Sequence, residues 1–177
     1  MCDSPDTNSD STKGTEQNFT SNDFNNMGLV QSIASRLLPW LSSRFHSPDP
    51  EGNPAHELGK RGESVAAKFL RKQGYKVIYR NFKHRRGGEI DLVCRDQDVL
   101  VFVEVKTRSS RDFGSPAEAV SSDQQRRISL GALAWLRMLD NPQVVFRFDI
   151  VEVLMEAGKP ECNLLRNAFP LSSPYRY

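Results

Sequence analysis

GEIDLVC (residues 88–94) and VLVFVEVK (residues 99–106), on either side of the polar run RDQD (95–98), decide the fold. Both alternate in polarity and are rich in β-branched residues, so they read as two strands, 89–94 and 99–106, of one hairpin. With a two-residue loop at 96–97 or a four-residue loop at 95–98, Asp91 faces Phe102 and Glu104 faces Glu89. Period-two alternation puts Asp91, Glu104 and Lys106 on one face, beside Val93, Leu100 and Phe102. The opposite face receives Ile90, Leu92, Cys94, Val99, Val101, Val103 and Val105, a continuous apolar surface that has to be core. A one-residue bulge would break this alternation.

The charged cluster thus stands at the edge of a packed layer, where a lone carboxylate is expensive. Two carboxylates within about 4–6 Å repel and raise each other's pKa. A divalent cation relieves that repulsion, and oxygen ligands with positions left for water suit Mg²⁺ or Mn²⁺. The competing reading is an ion pair on an exposed strand face. What sets this hairpin apart is the pattern D-x12-E-x-K preceded by the glycine pair Gly87–Gly88.

Outward from the hairpin, residues 57–73 give a helix with Leu58, Val65, Ala66, Phe69 and Leu70 on one face and Gly74 as its C-terminal stop. Residues 75–82 read as a strand. Ser115, Pro116 and Glu118 form a capping box that starts a short helix over 116–120. A longer helix covers 123–139 with Ile128, Ala132, Trp135 and Leu139 as its stripe, and 143–154 is the last strand. The order α-β-β-β-α-β predicts an α/β domain over 56–177, a mixed sheet flanked by helices.

Residues 1–55 are expected to be an extension of different character. Residues 1–26 carry a net charge of −4, leaving +6 for the rest of the chain. They have too few apolar residues to offset chain entropy and are expected to be disordered. Residues 28–45 have helical apolar spacing interrupted by Pro39. They suit a helix packed on the domain or formed transiently, or an amphipathic helix for docking a partner or a membrane surface. Residues 47–54 (SPDPEGNP) read as a proline-rich spacer.

The 177 residues are 38% hydrophobic and 26% charged, enough to bury one core. No apolar run approaches the roughly 18 residues of a membrane-spanning helix, so integral membrane contact is not expected. Three scattered cysteines exclude a disulfide framework and a cysteine-only zinc site. No secretory leader is legible, and the expected location is the cytoplasm.

Several segments in order, G-E-x-x-A-A-K-F-L-x-x-x-G-Y (62–75), R-N-F (80–82), G-G-E-I-D-L-V (87–93), L-V-F-V-E-V-K-T-R (100–108), F-G-S-P-x-E-A-V (113–120), R-F-D-I-V (147–151) and N-A-F (167–169), closely resemble the YraN family. That family is grouped with the restriction-endonuclease-like, PD-(D/E)xK nucleases and with Holliday-junction resolvases. The resemblance covers about residues 57–170. It implies a restriction-endonuclease-like sheet, with Asp91 and Glu104 as metal ligands and the Val105 carbonyl completing the site. Lys106 would orient the attacking water and offset charge on the phosphate. Glu63, on the first helix, would supplement the metal site, and helical geometry lets it look toward the sheet. The family often has Lys where this chain has Gln124. A glutamine there can hydrogen-bond a water or a phosphate but supplies no charge. Its place one turn before Ile128 points it inward.

Basic residues crowd the same end of the sheet: Lys83, Arg85 and Arg86 before the GGEID segment, Arg108 and Arg111 after β-residue Lys106, Arg126 and Arg127 near the start of the long helix. They suit a nucleic-acid backbone, with DNA the expected partner, and they also suit an ordinary solvated basic surface. With no helix-turn-helix or zinc-finger spacing, structure-selective binding is expected rather than sequence-specific reading. Three functions stay open: a metal-dependent endonuclease, a nucleic-acid-binding protein with weak or partner-dependent activity, and an interaction protein docking through 28–45. A resolvase-like role would require a homodimer.

Overall fold

The computed structural model describes residues 53–85, 88–110, 120–140, 142–156 and 159–177. Expectations for the tail 1–26, the helix 28–45, nearly all of the spacer 47–54 and the short helix at 116–120 fall largely outside these residues. Helix α1 (Pro54–Lys72) is followed by strands β1 (Lys76–His84), β2 (Gly88–Asp96) and β3 (Val99–Arg108). Helix α2 (Ser122–Met138) leads to β4 (Phe146–Leu154) and β5 (Glu161–Phe169). The strands form one mixed sheet in the order β1-β2-β3-β4-β5, with β3 and β4 parallel and the other neighbours antiparallel. A parallel pair needs a long crossover, and α2 provides it.

α1 starts earlier than the helical spacing suggests, at a proline first read as spacer. Pro54 stands at the favoured first position, and the Asn53 side chain accepts from the Ala55 N–H at 3.0 Å. Gly74 has φ 90°, a conformation glycine takes without strain, as its role as a stop requires. α2 is capped by Ser121. A fifth strand extends the expected order: 143–154 does not hold the last strand, because β5 pairs with β4 from Leu154↔Glu161 to Phe148↔Phe169.

The sheet is packed on both faces. On the α1 side lie Ala66, Ala67, Leu70, Leu92, Cys94, Val101, Val103, Val151 and Val153. On the α2 side lie Phe82, Ile90, Val93, Phe102, Ile128, Trp135, Phe148 and Phe169. The middle strands β2, β3 and β4 are therefore largely apolar on both faces, with Asp149 buried among them.

The hairpin register differs from the expected one. Its pairs run from Leu92↔Val103 to Asp96↔Val99, so the turn is Gln97–Asp98, one residue later than the 96–97 loop, with Gln97 at φ 52°. Phe102 is opposite Val93 rather than Asp91, and Glu89 lies beyond the paired stretch rather than opposite Glu104. The slip advances each pairing by two positions, which preserves the parity of the faces. Ile90 is a second correction: it packs on the α2 side, not with Leu92 and Cys94. The cause is a break in alternation where β1 and β2 pair. Arg80↔Leu92 and Phe82↔Ile90 flank Asn81 and Asp91. Arg80 reaches Ser64 on α1 and Leu92 joins the α1-side core, whereas Phe82 and Ile90 join the α2-side core. Asn81, at φ 55°, absorbs the kink, since asparagine tolerates the left-handed region.

Candidate metal and nucleic-acid site

The kink creates the site. Where β2 leaves its pairing with β3, Asp91 Oδ2 accepts from the Val105 N–H at 2.7 Å. A side chain thus takes up a backbone donor of β3 at the point where the ladder stops, which satisfies a group that is expensive to leave unpaired. Asp91 is fixed there by a bond that has nothing to do with a ligand.

Both helices are pressed onto this point by glycines. A Cβ on Gly62 would stand 1.8 Å from Thr107 Oγ1, so the backbone of α1 lies against the end of β3 and carries Glu63 with it. A Cβ on Gly88 would stand 2.4 Å from the Gly131 backbone nitrogen, and one on Gly131 would stand 2.9 Å from Ile90 Cγ1. This close contact of α2 with β2 sets the first turn of α2 over Glu104. The result is a cavity of about 250 Å³ lined by Gly59, Glu63, Glu89, Asp91, Glu104, Val105, Gln124, Arg127 and Ile128.

Asp91, Glu104 and Glu63, expected as site residues, therefore share one cavity, with Val105 in its wall. Lys106 joins them through Glu104, Nζ to Oε1 3.1 Å, and through Gln124 Oε1 at 2.7 Å. Gln124 Nε2 donates to Glu104 Oε1 at 2.5 Å, so its inward direction is as expected. Glu63 Oε2 is buried without a hydrogen-bond partner among the described residues.

The electrostatics are those of an acidic pocket that Lys106 and Arg127 neutralise only in part. The Asp91 carboxyl is pushed well above the ordinary carboxylate range, first by desolvation and then by the charge of Glu104, against which the Val105 N–H works. Glu104 is raised chiefly by burial, opposed by Lys106. Glu63 is raised by burial, opposed by a hydrogen bond from the Asn81 side chain and by Arg80. Among the described residues no three His, Cys, Asp or Glu side chains converge closely enough to hold a metal by themselves. The donor set nevertheless suits Mg²⁺ or Mn²⁺, which are held by one or two carboxylates and keep several waters. The partnerless Glu63 oxygen and the mutual repulsion are what a cation would relieve.

The basic residues divide. Arg127 lines the cavity, and its charge acts on Glu104. Lys83 pairs with Glu89 at 3.0 Å at the rim, and Arg126 pairs with Asp123 at 3.7 Å on the exposed first turn of α2. Arg85 is exposed. Arg108 turns to Glu152 on β4 at 3.4 Å and is only 17% exposed, so it braces the parallel pair. Arg86 and Arg111 lie outside the described residues. Sequence reasoning missed two cavity participants. Asn81 was visible only as the middle of R-N-F, and Glu89 was assigned a position across from Glu104 rather than a place in the cavity wall. No helix among the described residues is long and apolar enough to cross a membrane.

Comparison with known proteins gives a consistent family. The model of the uncharacterised protein family UPF0102 matches residues 62–153, which span α1 to β4 and every residue of the cavity except Gly59. A UPF0102 protein of Syntrophomonas wolfei is 48% identical over 113 residues, 64% of this chain and 97% of the relative. One from Geobacter metallireducens is 44% identical over 115 residues, covering 65% and 93%. One from Symbiobacterium thermophilum is 46% identical over 116 residues, covering 65% and 98%.

Proposed function

The chain belongs to the uncharacterised protein family UPF0102, the family its motifs resemble under the name YraN, and from that membership and its acidic cavity we propose a metal-dependent nuclease that hydrolyses phosphodiester bonds of DNA. One observation carries the reading: Asp91 and Glu104 line one cavity and repel each other, and the Lys106 ammonium lies 3.1 Å from Glu104 Oε1. A binding module gains nothing from clustered carboxylates that repel DNA.

In this reading Asp91, Glu104 and the Val105 carbonyl hold Mg²⁺ or Mn²⁺, with Glu63 supplementing them. The bound ion would supply a water of lowered pKa and neutralise phosphate oxygens. Lys106 would orient an attacking water and offset the negative charge that develops on the phosphate, an effect of about 3–4 kcal/mol. Arg127 faces the phosphate from α2. Lys83, Arg85 and Arg126 hold the flanking backbone without reading bases. Substrate choice is then by DNA shape. Cutting two strands of a junction would take two copies of the chain.

A second reading, a nucleic-acid-binding protein with weak or partner-dependent activity, is favoured by the closed bonding of Glu104, Lys106 and Gln124. The test is cleavage of labelled single strand, duplex, flap and four-way junction with Mg²⁺ or Mn²⁺, with Lys106→Ala and Glu104→Gln from matched preparations. Metal-dependent cutting that falls on the order of 10²–10³-fold in both variants is expected. Binding without cutting favours the second reading, and cutting that persists in both variants is contamination.

A further inference from the structure

Gln124 bonds both members of the ion pair that the proposed chemistry uses. Its Oε1 accepts from Lys106 Nζ at 2.7 Å, and its Nε2 donates to Glu104 Oε1 at 2.5 Å. The Lys106–Glu104 contact at 3.1 Å closes the ring. A primary amide can do this because it carries an acceptor and two donors at one end. Its orientation is dictated by its neighbours: turned over, it would aim its NH2 at an ammonium and its oxygen at a carboxylate. Both bonds fall on the same Glu104 oxygen. Gln124 itself is placed firmly, because Ile128 one turn on is buried and Gly131 lies against Ile90.

We infer that Gln124 is a latch: with Lys106 its amide occupies Oε1 of Glu104 in the cation-free chain, and it has to release that oxygen before the carboxylate can turn it to a divalent ion. The inference rests on the metal-dependent reading above and deepens it, by giving the site a threshold built from the chain itself. Release costs one charge-assisted bond to Glu104. The bond from Lys106 to Gln124 Oε1 is independent of that step, so the same amide goes on holding the ammonium in place once the carboxylate is engaged. Gln124 is thus a positioning residue for Lys106 and a competitor for Glu104. Its removal has opposite effects on the two: the carboxylate becomes easier to engage, and the ammonium loses a restraint.

The test measures Mn²⁺ binding to the full chain, following free Mn²⁺ by electron paramagnetic resonance, for wild type, Gln124→Met and Gln124→Ala. Thermal melting monitors the fold. Both variants are expected to bind Mn²⁺ at least about tenfold more tightly, the effect of deleting one hydrogen bond to a charged group. A merely structural defect would weaken binding, so a gain in affinity reports the latch. Gln124→Met fills the same space without polar ends and carries the test if Gln124→Ala does not fold. Unchanged or weaker affinity in a folded variant, with wild type binding Mn²⁺, overturns the latch and leaves the metal site standing. No binding by wild type or either variant overturns both.

Discussion

Changing an aspartate to asparagine removes a charge and almost no volume, and it should have opposite signs at Asp149 and Asp91. Asp149 has no exposed surface. It accepts from Arg147 Nε at 2.9 Å, Arg147 Nη2 at 3.1 Å, the Tyr75 hydroxyl at 3.2 Å and the Asn167 N–H at 2.9 Å. Asparagine keeps one acceptor oxygen, enough for the backbone bond, and turns donors toward the guanidinium. Breaking a buried pair from one side costs about 3–5 kcal/mol. Asp96, 2.7 Å from Arg147 Nη2, retains part of the guanidinium, so the expected loss is near 3 kcal/mol. At Asp91 the neighbours are carboxylates, and the retained oxygen still serves the Val105 N–H. Removing the charge there should stabilise the metal-free chain by about 0.5–2 kcal/mol, the usual return for relaxing a functional site. For a folded part of this size 1 kcal/mol moves Tm by roughly 3–5 °C, so Asp149→Asn should melt about 9–15 °C lower and Asp91→Asn a few degrees higher.

The pH sign separates the two further. Folding raises the Asp91 carboxyl above its unfolded value, so its favourable contribution is present in acid and is lost as pH rises through the folded value. Metal-free wild type should therefore gain on Asp91→Asn as pH falls from neutrality toward the ordinary carboxylate range. Thermal melts in EDTA at pH 7 and pH 5 measure both effects. A metal-free Asp91→Asn less stable than wild type at pH 7 would refute the reasoning, because it would mean that the charge is already compensated.

Other outcomes follow from the same geometry. Millimolar Mg²⁺ or Mn²⁺ should raise the Tm of wild type by mass action and leave an Asp91→Asn, Glu104→Gln double variant unmoved, as scanning calorimetry would detect. Gly88→Ala should destabilise more than Gly62→Ala, because its Cβ meets the Gly131 backbone whereas that at Gly62 meets a threonine side chain. Overpacking of about 1–3 kcal/mol or more is expected, read by urea unfolding, and equal losses would contradict the ranking. The Cys94 thiol is buried and pushed up to about 12, so it stays protonated. Its alkylation by iodoacetamide, mapped by mass spectrometry, should track global unfolding, and labelling in the native chain at the rate of a free thiol would contradict its burial.

What the sequence made legible was whatever local alternation controls. The two faces of the hairpin are correct at Glu104, Lys106, Leu92 and Val103, although the turn is one residue off, because the slip keeps parity. RDQD has no glycine or asparagine to mark the turn, and Gln97 takes the positive φ instead. The strand β5 was hidden because ECNLLRNAF is an edge strand whose exposed positions, Glu161, Asn163, Arg166 and Asn167, do not keep period two, with a register shift against β4 between Phe148 and Ile150. Gln124 was placed correctly by helical spacing alone, one turn before a buried isoleucine. Its simultaneous bonds to Glu104 and Lys106 were not legible, since they depend on how deeply α2 sinks onto β2, which the contact of Gly88 with Gly131 sets.

The misplaced residue, Ile90, marks the position that matters most. Strict alternation carried through residue 91 would have put Ile90 with Leu92 and left Asp91 as one more side chain on a regular ladder. Instead the sheet gives up one step of order at Asn81 and Asp91. Glu63 receives the Asn81 side chain, the Val105 N–H receives the Asp91 side chain, and a cavity opens between two helices that glycines have brought in. A break in alternation beside a charged residue is where local rules conflict with the global fold, and such conflicts concentrate at functional or strained sites. The acidic cavity is unfavourable for the metal-free fold by every carboxyl shift it contains, yet the Asp91–Val105 bond makes one of its acids part of the sheet. Asparagine could make that bond without the charge. Hydrogen bonding therefore accounts for an acceptor at position 91, and the remaining reason for a carboxylate there is its charge.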